Sequence, residues 1–181
     1  TKDDLIVRSL EHTGEWAWDE AFFVSSLLTN GARLLDAGAF VGTFGLGVAM
    51  NKRLSRLCAI EANSLVFPML ESNLERHSKT HTVLMHALLA GSNSEPRAGR
   101  ADSSNLGSAS FAANATGDAA IPSPPAVITL GAVRAKYGPF DLIKLDLEGM
   151  EREVLEADAE FLKGAGTTLW LECIESTHSL D

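Results

Sequence analysis

Leu34-Leu35-Asp36-Ala37-Gly38-Ala39-Phe40-Val41-Gly42 decides how this chain is read. A short apolar run ends in an acidic residue and enters a glycine-bearing turn, and small apolar residues follow from Thr43 towards Arg56. That order predicts a buried strand, a tight turn and a helix packed closely on the strand. Gly38 allows the sharp turn and leaves the main chain bare for a ligand to lie against. Gly42 allows the helix to approach the strand.

The same grammar recurs downstream. Leu57-Cys58-Ala59-Ile60 reads as a second buried strand ending at Glu61. Ser64 to His77 reads as an amphipathic helix, with Ser64 as its cap and Pro68 in the first turn. Thr82 to Met85 is a third strand, and Val127 to Tyr137 holds a short strand and a helix. Phe140 to Leu145 is a fourth long strand, ending at Asp146. Met150 to Leu162 follows as one helix closed by Lys163-Gly164, and Thr168 to Ile174 as a fifth strand. Upstream, Trp18, Phe22, Phe23, Leu27 and Leu28 have helical spacing, with Asn30-Gly31 as a stop. Between Ala90 and Pro125 the chain is rich in Ser, Ala, Gly, Asn and Pro, an excursion with a hairpin expected near Gly107 to Ala112.

Strands alternating with helices predict an α/β fold, a Rossmann-like doubly wound parallel sheet with helices on both faces. Residues 1–32 are expected to be a helical segment packed on a domain formed by residues 33–181. A length of 181 residues fits one core. The formal charge of -9, with no Lys/Arg run, argues against a general nucleic-acid or membrane-surface binder. Cys58 and Cys173 lie in apolar runs without metal or redox spacing, which fits buried thiols and a cytoplasmic setting. No apolar run reaches the roughly 20 residues of a membrane span. Because the first residue is Thr1, the chain is expected to be processed or a piece of a larger one.

In such sheets ligands bind beyond the carboxyl ends of the strands, where strand order reverses. Asp36 to Gly42, Glu61 to Ser64 and Asp146 to Glu148 fall there. Glu61 is placed to accept hydrogen bonds from two ribose hydroxyls. The plainer alternative makes Asp36 a helix cap and Glu61 a solvated strand end. A dinucleotide site asks for G-x-G-x-x-G, and no second glycine stands two positions after Gly38. Asp36 would oppose a phosphate but suits the amino and sulfonium charges of S-adenosylmethionine. The rivals are an NAD-type oxidoreductase on the same sheet, and a non-catalytic cofactor-binding or interaction domain.

Four blocks, Leu34 to Gly42, Ile60 to Asn73, Asp141 to Leu155 and Trp170 to Glu175, resemble the FkbM-type methyltransferases, a branch of the class I S-adenosylmethionine-dependent enzymes. The third block, D-L-I-K-L-D-L-E-G-M-E-R-E-V-L, is the most specific, since that family shows an I-K-x-D-x-E-G-x-E run. The resemblance implies cofactor contacts from Asp36, Gly38, Ala39, Gly42 and Glu61, with Asp146 beside the methionine end. It also implies O-methylation of a hydroxyl on a sugar or secondary metabolite. Phe40 stands where the family usually has Asn, and Ala62 where Pro is common. Class I enzymes end in an antiparallel hairpin, for which too few residues follow Glu175, so the sheet is expected either to be truncated or to be completed by a further part of a larger chain.

For the chemistry, Asp146 and Glu148 are the first candidates for a base or metal ligand. Glu148 has an equal claim as the cap of the helix after it. Lys144, pointing to the same face as Asp146, is expected to pair with Glu172, a catalytic role being the minority reading. Asp146, Glu172 and Glu175 could gather a divalent metal, which is not the favoured reading. His86 is expected to border the adenine, and His178 to be frayed. Trp16 and Trp18, with Phe22 and Phe23, could form a lid or acceptor pocket, though helix packing is preferred for the two phenylalanines. Asn105 to Ser108 could fold over the cofactor.

Overall fold

The computed structural model describes residues 5–92, 94, 97–121, 126–164 and 166–172. Helices α1 (Leu5–Thr13) and α2 (Trp18–Leu27) lead into β1 (Arg33–Ala37), α3 (Thr43–Asn51), β2 (Arg56–Glu61), α4 (Phe67–His77) and β3 (Thr82–Leu89). Three short strands follow: β4 (Arg100–Asp102), β5 (Asn105–Ser110) and β6 (Ala119–Ala120). The chain then runs through β7 (Ala126–Ile128), α5 (Leu130–Tyr137), β8 (Leu142–Leu145), α6 (Glu151–Ala157), α7 (Ala159–Leu162) and β9 (Thr168–Leu171).

The main sheet has the order β7-β3-β2-β1-β8-β9, and every pairing in it is parallel. It is the expected doubly wound α/β sheet. Strands β2 and β3 are laid to one side of β1 and β8 and β9 to the other, so the order reverses between β1 and β8. Side chains alternate between the faces. Leu34, Leu57 and Leu142 join Val24, Phe44, Val48 and Leu70 on one face. Their neighbours Leu35, Cys58 and Ile143 join Leu130, Val133 and Val154 on the other. The period of two thus builds two cores from one set of strands, as a sheet buried on both faces requires.

The predicted excursion after Ala90 is a second, antiparallel sheet in the order β5-β4-β6. Its hairpin lies upstream of the expected place. Asp102 Oδ1 accepts from the Ser104 amide at 2.8 Å, an Asx turn that closes the chain between β4 and β5. Ala101, Phe111 and Ile121 beneath this sheet pack with Leu88 and Met150.

Local chemistry moves three other boundaries. The N-terminal segment is two helices, because Gly14 (φ 75°) and Ala17 (φ 53°) take left-handed conformations between them. Helix α2 buries Ala21, Val24 and Ser25 and leaves Phe22 and Phe23 60% and 53% exposed, the reverse of the expected packing. Small residues win that face because α3 comes close: a Cβ on Gly47 would lie 2.7 Å from Ala21 Cβ. Ser64 does not cap α4, whose N-cap is Val66; Asn63 Oδ1 accepts the Leu65 amide instead. The helix expected over Met150 to Leu162 breaks at Asp158, whose carboxylate holds Arg134 of α5 at 2.9 Å. The end of the fifth predicted strand, with Cys173, Glu175 and His178, lies outside the described residues. No helix among the described residues is long and apolar enough to cross a membrane.

Candidate active site

The carboxyl ends of β1, β2, β8 and β9 open into a cleft of about 840 Å³, walled by the residues between α1 and α2 and roofed by β5. Its floor is the turn after β1. The amides of Gly38 and Ala39 both donate to Ile60 O at 3.0 Å, tying the turn to β2. Gly38 has φ 74°, and a Cβ there would lie 1.7 Å from the main-chain oxygen of Asp146. The glycine is therefore required twice, for its backbone conformation and for the closeness of β8. Phe40 is also left-handed, at φ 49°. Asn tolerates that conformation better than Phe, which gives a physical reason for the residue the resemblance leads one to expect there.

Glu61, 8% exposed, closes β2. Its Oε2 accepts from the Phe40 amide at 2.8 Å and its Oε1 from the Asn63 amide at 2.7 Å, which fixes the carboxylate at the cleft wall. Burial pushes its pKa up, and the amides of Asn63, Phe40 and Ala62 draw it back. With about four acceptor sites, the carboxylate keeps capacity to take a ligand hydroxyl. Glu61 is thus a held, buried acceptor, not a solvated strand end.

Asp36, Lys144 and Asp146 form one network. Asp36 is fully buried and faces Lys144 across the β1–β8 register. Its Oδ2 accepts from the Gly45 amide in the first turn of α3 at 3.1 Å, and its Oδ1 lies 3.7 Å from Lys144 Nζ. Lys144 donates to Asp146 Oδ2 at 2.8 Å and to Gly38 O at 3.3 Å. Burial opposes the Lys144 charge, but Asp36 and Asp146 outweigh it and hold the ammonium above its ordinary pKa. For Asp36 burial raises the pKa, with Lys144 opposing. The cap reading of Asp36 is accurate for one oxygen and omits the other.

The expected Lys144–Glu172 ion pair is absent among the described residues, and the register explains why. Lys144 stands opposite Trp170 on β9. Two residues further along, Glu172 comes opposite Asp146, to which it hydrogen-bonds. That hydrogen bond, then burial, then the charge of Asp146 push the Glu172 pKa up to about 8. Asp146 is held below its ordinary value: Lys144 and the Glu172 hydrogen bond overcome its burial. At neutral pH the pair therefore holds one proton between its two carboxyl groups.

Glu148 joins them, with single carboxylate oxygens of Asp146, Glu148 and Glu172 all within 4.8 Å of one another. This is a set of hard oxygens able to share protons or hold a cation. Glu148 does not cap α6. The N-cap of α6 is Met150, without a side-chain cap, and Glu151 in the first turn reaches back to the loop amides of Leu147 at 2.6 Å and Gly149 at 3.1 Å. Freed from that role, Glu148 lines the cleft from a left-handed backbone (φ 51°). Burial, followed by the charges of Asp146 and Glu151, pushes its pKa up to about 7.

Of the other predicted residues, Ala39 lines the cleft, and Gly42 (φ 91°) stands behind it, where a Cβ would press on Leu70 at 3.0 Å. His86 does not line the cleft. It is exposed, and its ring is taken up by a stack on Phe67 at the start of α4, with ring centroids 4.5 Å apart. Asn105, Leu106 and Gly107 do reach the cleft, and Asn63 Nδ2 donates to Leu106 O at 3.1 Å. Trp16 and Trp18 line it as well. Glu15, Asp19, Glu20 and Trp170 do so without having been singled out. The run Glu15-Trp16-Ala17-Trp18-Asp19-Glu20, acidic at both ends and aromatic between, was the available signal.

No match is found among curated proteins. Among solved structures, the fold is similar to methyltransferase FkbM from Methylobacillus flagellatus KT, with a TM-score of 0.59 and 18% identity. That alignment covers 87% of this chain, which spans only 37% of the length of the other. A precorrin-6y C5,15-methyltransferase from Geobacter metallireducens GS-15 aligns with a TM-score of 0.44 and 14% identity, over 77% of this chain and 52% of that one. The tRNA (uracil-54, C5)-methyltransferase of Pyrococcus abyssi, in complex with S-adenosyl-L-homocysteine, gives 0.42 and 15%, over 78% and 25%. The profile described as Methyltransferase FkbM domain matches residues 36–180, from the buried aspartate of β1 past the last described strand, and the chain belongs to that family.

Proposed function

We propose that this chain binds S-adenosylmethionine in the cleft and directs its methyl group to a hydroxyl of a small molecule, a sugar or secondary metabolite. The observation that carries the reading is Glu61. A buried carboxylate, held by two amides at the end of β2 beside the bare Gly38 turn, matches a ribose with its two hydroxyls. The cleft volume is that of a small-molecule site. Its charge also fits: Lys144 is the one basic residue among the described lining residues, against seven acidic ones, of which the Asp146–Glu172 pair holds a proton. Such a site repels the phosphates of a dinucleotide or nucleic acid and favours a cofactor bearing a sulfonium and an amine.

S-adenosylmethionine supplies an electrophilic methyl group on a positively charged sulfur. Glu61 holds the ribose, and Gly38 and Ala39 offer a main-chain surface without side-chain bulk. Lys144 keeps Asp146 ionised and fixed, so Asp146 orients charge and is a poor proton acceptor. Glu148, titrating near about 7, is matched to take the acceptor hydroxyl's proton at neutral pH. Its left-handed backbone is the kind of local strain that accompanies a functional position.

Calorimetric titration with S-adenosylhomocysteine, with NAD as control, tests the reading. Binding of the first alone, lost in Glu61→Gln with an unchanged far-UV spectrum, is the expected result. Equal binding of NAD, or no loss in the variant, overturns it.

A further inference from the structure

Resting on the cofactor reading above, we infer that the acceptor carries a positive charge: it is a small hydroxylated molecule bearing a protonated or quaternary amine. The argument starts from the aromatic wall. All three tryptophans of the chain, Trp16, Trp18 and Trp170, line this one cleft. They come from two places far apart in sequence, the α1–α2 connection with the start of α2, and the edge strand β9. Trp18 is braced against α3, where a Cβ on Gly47 would lie 3.7 Å from its ring. Trp170 is braced by the Phe23 ring at 5.8 Å between centroids. Tryptophan faces attract cations more strongly than other aromatic side chains do, and clusters of them recognise ammonium groups.

The charge distribution selects among the ligands that tryptophans can stack against. Glu15, Asp19 and Glu20 flank the tryptophans on the helical side, and Asp146, Glu148 and Glu172 on the sheet side. Lys144 balances Asp146 at 2.8 Å and is further held by Gly38 O and Asp36, and the Asp146–Glu172 pair holds a proton, so the charge left unmatched is that of the helical-side carboxylates and of Glu148 as it ionises. The cofactor contributes one net positive charge, which leaves the cleft anionic. A neutral sugar would be stacked by the tryptophans but would leave Glu15, Asp19 and Glu20 unmatched. An anionic acceptor would be repelled. A cationic alcohol satisfies both walls, with its hydroxyl towards Glu148 and its amine between the tryptophans and the helical-side carboxylates.

The test uses two probes of the same shape, choline and 3,3-dimethyl-1-butanol, each with one hydroxyl and differing in charge. They are titrated into the chain saturated with S-adenosylhomocysteine, whose sulfur is neutral. Intrinsic tryptophan fluorescence is the readout, since every tryptophan faces the cleft. Choline is expected to bind about ten-fold more tightly than the neutral probe. The preference should shrink at high salt, as the Debye length falls to about 3 Å at 1 M. It should shrink again in the paired variant Asp19→Asn with Glu20→Gln. Equal affinity for the two probes, with S-adenosylhomocysteine still bound, overturns the inference and leaves the cofactor reading standing. Failure of S-adenosylhomocysteine to bind overturns both. The comparison of probes on the unaltered chain holds whether or not the variant folds.

Discussion

Lys144 Nζ lies 2.8 Å from Asp146 Oδ2, two residues along its own chain, and 3.7 Å from Asp36 Oδ1 on the neighbouring strand. One buried ammonium thus joins the glycine turn after β1 to the acidic end of β8, and the consequences of that arrangement can be measured.

Replacing Lys144 by Met leaves Asp36 buried without its cation. Removing one partner of a buried pair is strongly destabilising, and a loss of about 3 kcal/mol is expected in urea unfolding. Asp36 can offset part of this by taking up a proton, so the loss should be smaller at acid pH than at neutral pH. A loss independent of pH would show that the lysine contributes by packing alone.

The raised carboxyls give the stability a definite pH slope. Unfolded glutamates release their protons near about pH 4.3, whereas Glu148 holds its proton to about 7 and Glu172 to about 8 in the fold. Between these limits the folded state binds more protons, so stability falls as pH rises and levels off above about 8. The groups with lowered pKa, Asp146 among them, are already ionised over this window and do not oppose the trend. Thermal melts from about pH 5 to about pH 9 should show a falling midpoint, flattened in Glu172→Gln. A midpoint that rises over that range contradicts the shared-proton assignment.

Glu148→Gln tests the base. Turnover should fall by roughly 10²- to 10⁴-fold while S-adenosylhomocysteine affinity is kept. In the unaltered chain the rate should climb with pH through about 7. Equal turnover in the variant would move the role to another group.

Two left-handed glycines separate conformation from contact. Gly149 has φ 97°, and a Cβ added there would meet nothing within 4 Å, so Gly149→Ala should cost only the conformational term, about 1 kcal/mol. Gly38→Ala adds a methyl on top of the Asp146 carbonyl and should cost several times more, about 3 kcal/mol or above, with cofactor binding lost. Similar melting temperatures for the two variants would deny the close approach of β1 and β8.

Much of this was legible in the order of residues. Apolar runs of strand length, each ending in Asp36, Glu61 or Asp146, announce a parallel sheet with a polar rim, because buried strands must be apolar and the groups that meet a ligand sit where they end. The glycine turn followed from the same local grammar, and the I-K-x-D-x-E-G run from the resemblance to the FkbM-type methyltransferases. What local pattern cannot carry is register. Whether Lys144 meets Glu172 or Asp36 depends on how β8 is set against β1 and β9, and a shift of two residues exchanges one partner for another on the same face. Helix packing is equally non-local: Phe22 and Phe23 are turned outward because Gly47 of α3 draws Ala21 in, a preference that only the pair of helices expresses. The sequence by itself determined the main parallel strands, the turn and the acidic strand ends, since each follows from interactions within a few residues. Only the tertiary structure decided which carboxylates share a proton, which one is left free near neutrality, and that three distant tryptophans face one anionic cleft, because those depend on distances between strands and helices that the chain order does not contain.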